Sequence, residues 1–400
     1  MQNLIFFDSN YLFDNFLPLT FLRPSADLRI GILKIHEKWQ KRLENDQISF
    51  LTKNYLQDKF KINFSEKNIY INGNLLPNEN ICLQIKDLAE NESIFLGEYL
   101  LAFVSKKKFE NYENLYQNAQ VSKVQKINEA KLLINIWDLF LENRDQIVAD
   151  FELITKNRKS LPIKDPSTVV YGKENIFLEE GAKVKSAILD AEDAPIYLGK
   201  NSTVELGAII RGAFAICEGG IVGMGAKMRG NSTFGKFCKV GGEVNNSIFQ
   251  DFSNKGHDGF LGNSLIGEWC NFGADSNTSN MKNNYSQVKI WDFNTNNYIS
   301  SNLQFVGVIM GDHVKCGINT MLNTGTVVGT GANIFDAGFP PKFVPPFAWG
   351  NTNNFQTFRL AEMLETCQKV MLRRNQNLSK IDQKILETVF EQTQKYRFWE

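Results

Sequence analysis

The chain has 400 residues, of which 43% are hydrophobic and 22% are charged, as expected for a globular protein with more than one domain. Its 44 basic and 44 acidic residues give a net charge of zero, which argues against nucleic-acid binding through bulk positive charge. No run of 18 apolar residues predicts a membrane span, and six scattered cysteines without a Cys-x-x-Cys pair predict free thiols in the cytoplasm.

The first 165 residues predict an α/β domain, because strand-like and helix-like segments alternate there. Apolar runs at 4–9, 69–73 and 94–105 are typical of strands, and the amphipathic stretch 26–43 is typical of a helix. The apolar start lacks a basic region, so we interpret it as a first strand and not as a signal peptide.

The central region repeats an apolar residue at every sixth position. The first run comprises Leu198, Val204, Ile210, Ile216, Val222, Met228, Phe234 and Val240. The second run comprises Met310, Cys316, Leu322, Val328 and Ile334. Mostly small residues precede these positions by two, which is compatible with a tight corner at each repeat.

A period of six matches neither an α-helix nor an isolated strand as an amphipathic element. It is typical of a parallel β-helix, in which each short strand forms one side of a prism and points one aliphatic side chain inward. Three sides give about 18 residues per coil. We therefore predict a β-helix over residues 166–350.

The six-residue frame slips over residues 241–307, between the two regular runs. We expect a loop to leave the prism around 245–260, with His257 at its base. Loops that project from a regular scaffold often carry function, so this region is the first candidate for a site.

The last segment, 351–400, predicts a helical tail, because apolar residues recur there at intervals of three and four. Ser379 and Asp382 approximate a capping box at the start of its second helix. The predicted organisation is therefore an α/β domain at 1–165, a β-helix at 166–350 and C-terminal helices at 351–400.

Two runs of sequence resemble a known family. HDGFLGNSLIGEWCNFGADSNTSN (257–280) and MGDHVKCGINTMLNTGTVVGTGANI (310–334) are similar to the acetyltransferase domain of the bifunctional N-acetylglucosamine-1-phosphate uridylyltransferase/glucosamine-1-phosphate acetyltransferase family. PLTFLRP (18–24) and GFPPKFVPPFAWG (338–350) resemble segments of sugar-1-phosphate nucleotidyltransferases. The resemblance implies a left-handed β-helix, acetyl-CoA as a substrate and a homotrimer.

The same resemblance assigns roles to individual residues. His257 matches the general base, a role that suits an imidazole whose pKa lies near neutrality. Glu243 matches the carboxylate that orients this base, and Arg229 matches an arginine that grips a sugar phosphate. Asn271 and Asn280 match asparagines that line the acceptor site.

Other positions depart from the family pattern. Phe260 stands where the family has a tyrosine, so a hydroxyl is lost. Lys282 lies in NMKN, which replaces the family's NYDG, and it could supply a positive charge. These departures favour an acyltransferase with a different acceptor.

The N-terminal domain lacks the usual features of nucleotidyl transfer. No glycine precedes Gly31, so the glycine-rich loop for a triphosphate is missing, and Asn74 stands where a metal-binding aspartate is expected. Arg23 and Arg29 could still form a sugar-phosphate site together with Asp8, and Mg²⁺ would be needed if the domain is active.

Two classes of function follow from the sequence. The first is a cytoplasmic transferase that N-acetylates an amino-sugar 1-phosphate with His257 as base, while the N-terminal domain binds a sugar phosphate or a nucleotide. Uridylyl or thymidylyl transfer to a sugar 1-phosphate is the alternative enzymatic activity. The second class is an inactive sugar-nucleotide-binding scaffold. A zinc hydratase on the same prism is disfavoured, because only His257 and His313 lie in the β-helix.

Overall fold

The computed structural model describes residues 2–335, 337–350 and 354–400. The chain divides into two compact units. The first unit comprises Met1–Leu28 and Leu33–Ile136, and the second comprises Arg29–Ile32 and Trp137–Glu400. The domain limits at 165 and 350 stay predictions.

The first unit is a six-stranded sheet with three helices. The strand order is β2-β1-β3-β5-β4-β6, with β1 parallel to β2 and β3, and β5 antiparallel to its two neighbours. The strands are β1 (Gln2–Phe7), β2 (Ile48–Leu51), β3 (Lys67–Asn72), β4 (Glu92–Leu96), β5 (Tyr99–Ser105) and β6 (Lys123–Ile127). The helices are α1 (Ile35–Leu43), α2 (Glu79–Lys86) and α3 (Tyr112–Gln120).

The helix predicted over 26–43 forms only from Ile35 onward, so its first part is wrong. Gly31 has a φ of +70°, a left-handed conformation that interrupts a helix. The segment Arg29–Ile32 belongs instead to the second unit.

This segment is held in the second unit by specific hydrogen bonds. The amides of Gly31 and Ile32 donate to Asn143 and Asp150 on helix α4 (Asp138–Thr155), at 2.8 Å each. Arg29 is bonded to Gln250 through both its main-chain amide and its carbonyl. The Arg29 guanidinium also pairs with Asp251 at 3.1 Å.

The second unit is built mainly from short parallel strands stacked in three sheets. The β7 sheet contains β7 (Val169–Tyr171), β10 (Ile188–Asp190), β13 (Ile209–Arg211), β16 (Lys227–Met228), β19 (Glu243–Asn245) and β22 (Phe260–Gly262). The β8 sheet contains β8 (Ile176–Leu178), β11 (Ile196–Leu198), β14 (Phe214–Ile216), β17 (Ser232–Phe234), β20 (Ile248–Phe249), β23 (Leu265–Ile266), β28 (Ile309–Met310), β31 (Val327–Val328) and β33 (Phe343–Val344). The β9 sheet contains β9 (Lys183–Val184), β12 (Thr203–Val204), β15 (Ile221–Val222), β18 (Lys239–Val240), β21 (Asn254–Lys255), β24 (Asn271–Phe272), β29 (Lys315–Cys316), β32 (Asn333–Ile334), β34 (Ala348–Gly350) and β35 (Gln356–Thr357), of which β35 is antiparallel.

The six-residue repeat predicted the interior correctly. All thirteen apolar residues of the two runs belong to one continuous core, and each is at most 5% exposed. Strand register shows the coil length, since Val204 pairs with Val222 and Val222 with Val240, 18 residues apart each time. Each coil therefore covers the aliphatic residues of its neighbours.

The loop expected around 245–260 is not present, because β19 to β22 continue the prism through this region. The frame slips for another reason: β21 pairs with β18 such that Asn254 lies opposite Lys239, only 15 residues earlier. The chain instead leaves the prism after β25 (Asn277–Thr278), which pairs with β30 (Met321–Leu322). This excursion carries the antiparallel hairpin of β26 (Lys289–Asp292) and β27 (Asn297–Ser300).

The tail forms the predicted helices, α5 (Leu360–Leu372) and α6 (Lys380–Gln392). The amide of Asp382 donates to the Ser379 hydroxyl at 3.0 Å, which confirms the predicted cap. Among the described residues, none of the helices has the length and apolar character needed to cross a bilayer. The predicted fold class is confirmed: an α/β N-terminal unit, then a left-handed parallel β-helix and C-terminal helices.

Candidate functional site

His257 lies at a corner of the prism, in the four-residue turn 256–259 that joins β21 to β22. The turn is as long as the corner at 223–226, and its histidine takes the place that Met224 has there. Gly241 lies beneath it, because a side-chain carbon there would be 2.6 Å from the Gly256 carbonyl oxygen. The His257 side chain is exposed, as required of a base that must reach a substrate.

Glu243, which lies opposite Phe260 just after this corner, forms an ion pair with Arg229. Arg229 Nη1 lies 2.9 Å from Glu243 Oε1, and the arginine side chain is 62% exposed. Among the described residues, no hydrogen bond joins Glu243 to the His257 ring. In this structure the Glu243 carboxylate therefore restrains Arg229, the predicted phosphate ligand, and does not orient the imidazole of His257.

Phe260 is stacked on the same face of the β7 sheet, because strand register places it directly opposite Glu243. Its amide donates to the Asn277 side chain at 2.8 Å. At the other end of β22, Asn280 Nδ2 donates to Asn263 Oδ1 at 2.8 Å. Phe260 thus begins β22, and Asn280 contacts the residue that follows the end of this strand.

Asn271 and Lys282 lie outside the β7 sheet. Asn271 begins β24 and points outward from the β9 sheet, in register with Asn254 and Lys315. Lys282 belongs to the excursion from the prism and donates to the Gln287 carbonyl at 2.5 Å. Strand register places Glu243 beside Phe260 at the start of their strands, and Arg229, which follows β16, reaches Glu243 through its side chain.

A groove of about 470 Å³ runs along the β7 sheet and reaches Arg229. Aliphatic side chains form much of its wall, and basic side chains contribute positive charge. The charged lining residues are Asp190, Arg211, Lys227 and Arg229, of which Arg211 lies 3.8 Å from Asp190, and the apolar ones include Tyr171, Ile188 and Ile209. Such a groove combines apolar contact with attraction for an anionic group.

Sequence reasoning missed Lys255, which is 1% exposed. Strand register places it opposite Val240, at an inward position of the β9 sheet. Its ammonium donates to the carbonyl of His257 at 2.9 Å. A six-residue frame cannot detect it, because the short coil before β21 has already shifted the repeat.

In the first unit, Asp8 and Arg23 lie in separate polar clusters. Asp8 accepts from the amide of Ser25 and the hydroxyl of Thr52, but burial outweighs both bonds and raises the pKa of Asp8 to about 6. Arg23 lies 3.8 Å from Asp27. Burial alone would raise the pKa of Asp27, but Lys34, His36 and Arg23 together hold it well below its usual range.

Asn74 is 1% exposed, and neither the nitrogen nor the oxygen of its side-chain amide has a hydrogen-bond partner among the described residues. It follows β3 closely, at the carboxyl edge of the parallel strands. Arg29, the other predicted phosphate ligand, is 2% exposed and bonded inside the second unit. Both assignments stay predictions.

The residues present do not fit a Mg²⁺ site. Asn74 is neutral, and both oxygens of Asp8 already accept hydrogen bonds from the protein. Across the described ranges, no cluster of three or more His, Cys, Asp or Glu side chains could hold a metal ion. His313 is buried against Cys367, at 3.3 Å, and burial raises the pKa of this thiol to about 12.

Comparison with known proteins separates the two halves of the chain. Residues 4–159 match the sugar nucleotidyl transferase family. That match covers the first unit and helix α4, and it does not extend to the β-helix. A search of curated proteins found no significant match.

Solved structures match part of the chain at low identity. The polySia specific acetyltransferase NeuO is 18% identical, with 50% of this chain and 86% of that chain covered and a TM-score of 0.27. An Arabidopsis UDP-N-acetylglucosamine acyltransferase is 15% identical over 58% of this chain and 91% of that chain, with a TM-score of 0.19. AntD, an N-acyltransferase from Bacillus cereus, is 14% identical over 52% and 91%, with a TM-score of 0.20. Similarity this low carries no argument about a substrate.

Proposed function

We propose that the second unit transfers an acetyl group from acetyl-CoA to the amino group of a sugar 1-phosphate. The proposal is supported by the order of contacts after the His257 turn: Phe260 lies opposite Glu243, and the Glu243 carboxylate pairs with Arg229. His257 would supply the base and Arg229 an anion ligand, because both side chains are exposed.

The chemistry requires one proton transfer at the acceptor. The sugar nitrogen attacks the thioester carbonyl, a C–N bond forms and the C–S bond breaks. His257 accepts the proton that the nitrogen loses, and the CoA sulfur leaves as a thiolate that takes up a proton. Asn280, Asn271 and Lys282 would contact the sugar or the donor around this centre.

The assay for this proposal follows CoA release from acetyl-CoA with a thiol reagent, using a panel of amino-sugar 1-phosphates. Mass spectrometry of the product checks that the sugar has gained an acetyl group. If no member of the panel releases CoA faster than buffer alone, the proposal is wrong.

Arg229→Gln is expected to raise KM for the sugar phosphate about 10-fold to 100-fold, because a charge-assisted bond to phosphate is lost. We expect kcat to change less than about threefold, since the base is untouched. Arg158→Gln is the matched control, because Arg158 lies outside the groove, is 46% exposed and donates to a carboxylate oxygen of Glu179 at the same distance of 2.9 Å. An unchanged KM in Arg229→Gln would remove this residue from the acceptor site.

Glu243→Gln shows in the same assay whether the Glu243 carboxylate restrains Arg229 or orients His257. If Glu243 acts through Arg229, KM changes and kcat is retained. If it orients His257 once substrate is bound, kcat falls and KM is retained. We expect the first result, given the 2.9 Å contact with Arg229.

We also propose that the β7 sheet mediates a homotrimer. Its outer surface exposes four large apolar side chains between 39% and 49%, which are Val169, Tyr171, Ile188 and Ile209. Apolar groups clustered on one flat sheet favour self-association.

A second candidate function, the binding of a sugar nucleotide by the first unit, is favoured by the family match over residues 4–159. We expect UDP-sugars or dTDP-sugars to raise the melting temperature, and UTP or dTTP with a sugar 1-phosphate and Mg²⁺ to release no pyrophosphate. We expect no pyrophosphate release because Asn74 stands where a Mg²⁺-binding carboxylate is needed. Pyrophosphate release in a coupled assay would contradict this prediction and establish nucleotidyl transfer.

A further inference from the structure

Lys255 occupies a position that is otherwise aliphatic. In the β9 sheet, Val184, Val204, Val222 and Val240 precede it in register as inward residues. The corresponding inward residues of later coils are Phe272, Cys316 and Ile334, and all belong to the hydrophobic core. A lysine in such a column must hold its ammonium away from bulk water.

This placement has an energetic cost, because a charged group loses hydration when it is buried. Burial lowers the pKa of Lys255 to about 8, although the nearby carboxylates of Asp258 and Asp275 act in the opposite direction. Methionine has nearly the same length without this cost, so stability alone does not account for a lysine here.

The ammonium is directed toward the corner that carries His257. It donates to the His257 carbonyl at 2.9 Å, and Asp258 in the same turn adds a favourable charge. Only the last residue of the turn is closely enclosed: Gly259 has a φ of +116°, and a side-chain carbon there would lie 2.2 Å from the Ser276 carbonyl oxygen. Residues 256–258 are exposed, so the hydrogen bond from Lys255 is the contact that reaches this part of the turn from the core.

We propose that Lys255 is a positioning residue for His257: its buried ammonium fixes the main chain of the 256–259 turn and thereby the direction of the imidazole. The inference rests on the proposed acetyl transfer, because it assigns to Lys255 the orientation of that reaction's base. The hydrogen bond from Lys255 would also explain how the main chain of His257 is fixed although Glu243 does not bond to the His257 ring.

The test compares Lys255→Met with Lys239→Met in hydrogen exchange and in kinetics. Lys239 lies in the preceding strand of the same sheet, but its side chain is exposed, so it is a matched control. In Lys255→Met we expect amide exchange in the peptide 254–262 to become about tenfold faster. We expect kcat to fall about tenfold with KM for acetyl-CoA unchanged, and the melting temperature to be equal to or above that of the wild type. Lys239→Met should leave all four quantities unchanged.

Lys255→Gln keeps a neutral donor at this position and is expected to restore part of kcat, which a purely steric effect would not do. If amide exchange in the peptide 254–262 is unchanged in Lys255→Met, the proposal is wrong, whatever the value of kcat. Faster exchange with an unchanged kcat would overturn the link to catalysis. If the wild type transfers no acetyl group, the proposed function fails, while the exchange data still decide whether Lys255 fixes the turn.

Discussion

Replacing His257 with alanine is expected to lower the rate of acetyl transfer about 10²-fold to 10⁴-fold, because a general base contributes a factor of this size. The fold should be unaffected, since the side chain is exposed and the turn is held through main-chain atoms. The measurement is kcat from the CoA-release assay, with circular dichroism and melting temperature recorded on the same samples.

Met224→Ala is the matched control for His257→Ala. Met224 has the equivalent place in the turn 223–226 and is 72% exposed, so its truncation imposes the same kind of change on the corner. We expect its kcat to lie within about twofold of the wild type. If both variants lose activity equally, or if His257→Ala remains fully active, His257 is not the base.

Asp251→Asn is expected to reduce the free energy of unfolding by about 2–3 kcal/mol, the largest stability change among the variants considered. The substitution keeps the shape of the side chain but removes a negative charge 3.1 Å from the Arg29 guanidinium, which is buried. Chemical denaturation monitored by fluorescence measures this change. The cause is electrostatic, because Asn can still accept the bond that Lys236 donates to Asp251.

Two further variants separate this electrostatic effect from a general loss of packing. Glu365→Gln removes one charge from an exposed pair with Lys369 on α5, where we expect little change in melting temperature. The double variant Arg29→Met with Asp251→Asn removes both buried charges, keeps an acceptor for the Lys236 main-chain amide and should recover much of the lost stability. A loss below about 0.5 kcal/mol in Asp251→Asn would show that the pair contributes little.

The regular part of the fold was predictable from the sequence because inward positions of a β-helix repeat at a fixed interval. Thirteen residues in two frames identified the core, and Ser379 identified the start of α6. The stretch 26–43 was not predictable by periodicity, because Gly31 breaks the helix and the preceding residues bond to distant partners in the second unit. Such long-range bonds leave no local pattern in the sequence.

The candidate site was predictable to a smaller extent. The family resemblance indicated His257, Glu243, Arg229 and Phe260, which lie on or next to strands β16, β19 and β22, but it did not indicate that Glu243 contacts Arg229. The loop predicted around 245–260 came from a slip in the repeat. A coil shortened to 15 residues causes the same slip without a loop, and it also conceals Lys255 as an inward residue.

The docking of Arg29–Ile32 onto residues Gln250 and Asp251 has a consequence for biosynthesis. Arg29 and Asp251 are separated by 222 positions in the chain. At a translation rate of about 5–20 residues per second, roughly 10–45 s pass before the ribosome supplies the partner of Arg29. Until then this arginine remains hydrated on the nascent polypeptide, and growth of the β-helix to Asp251 is the event that allows it to be buried.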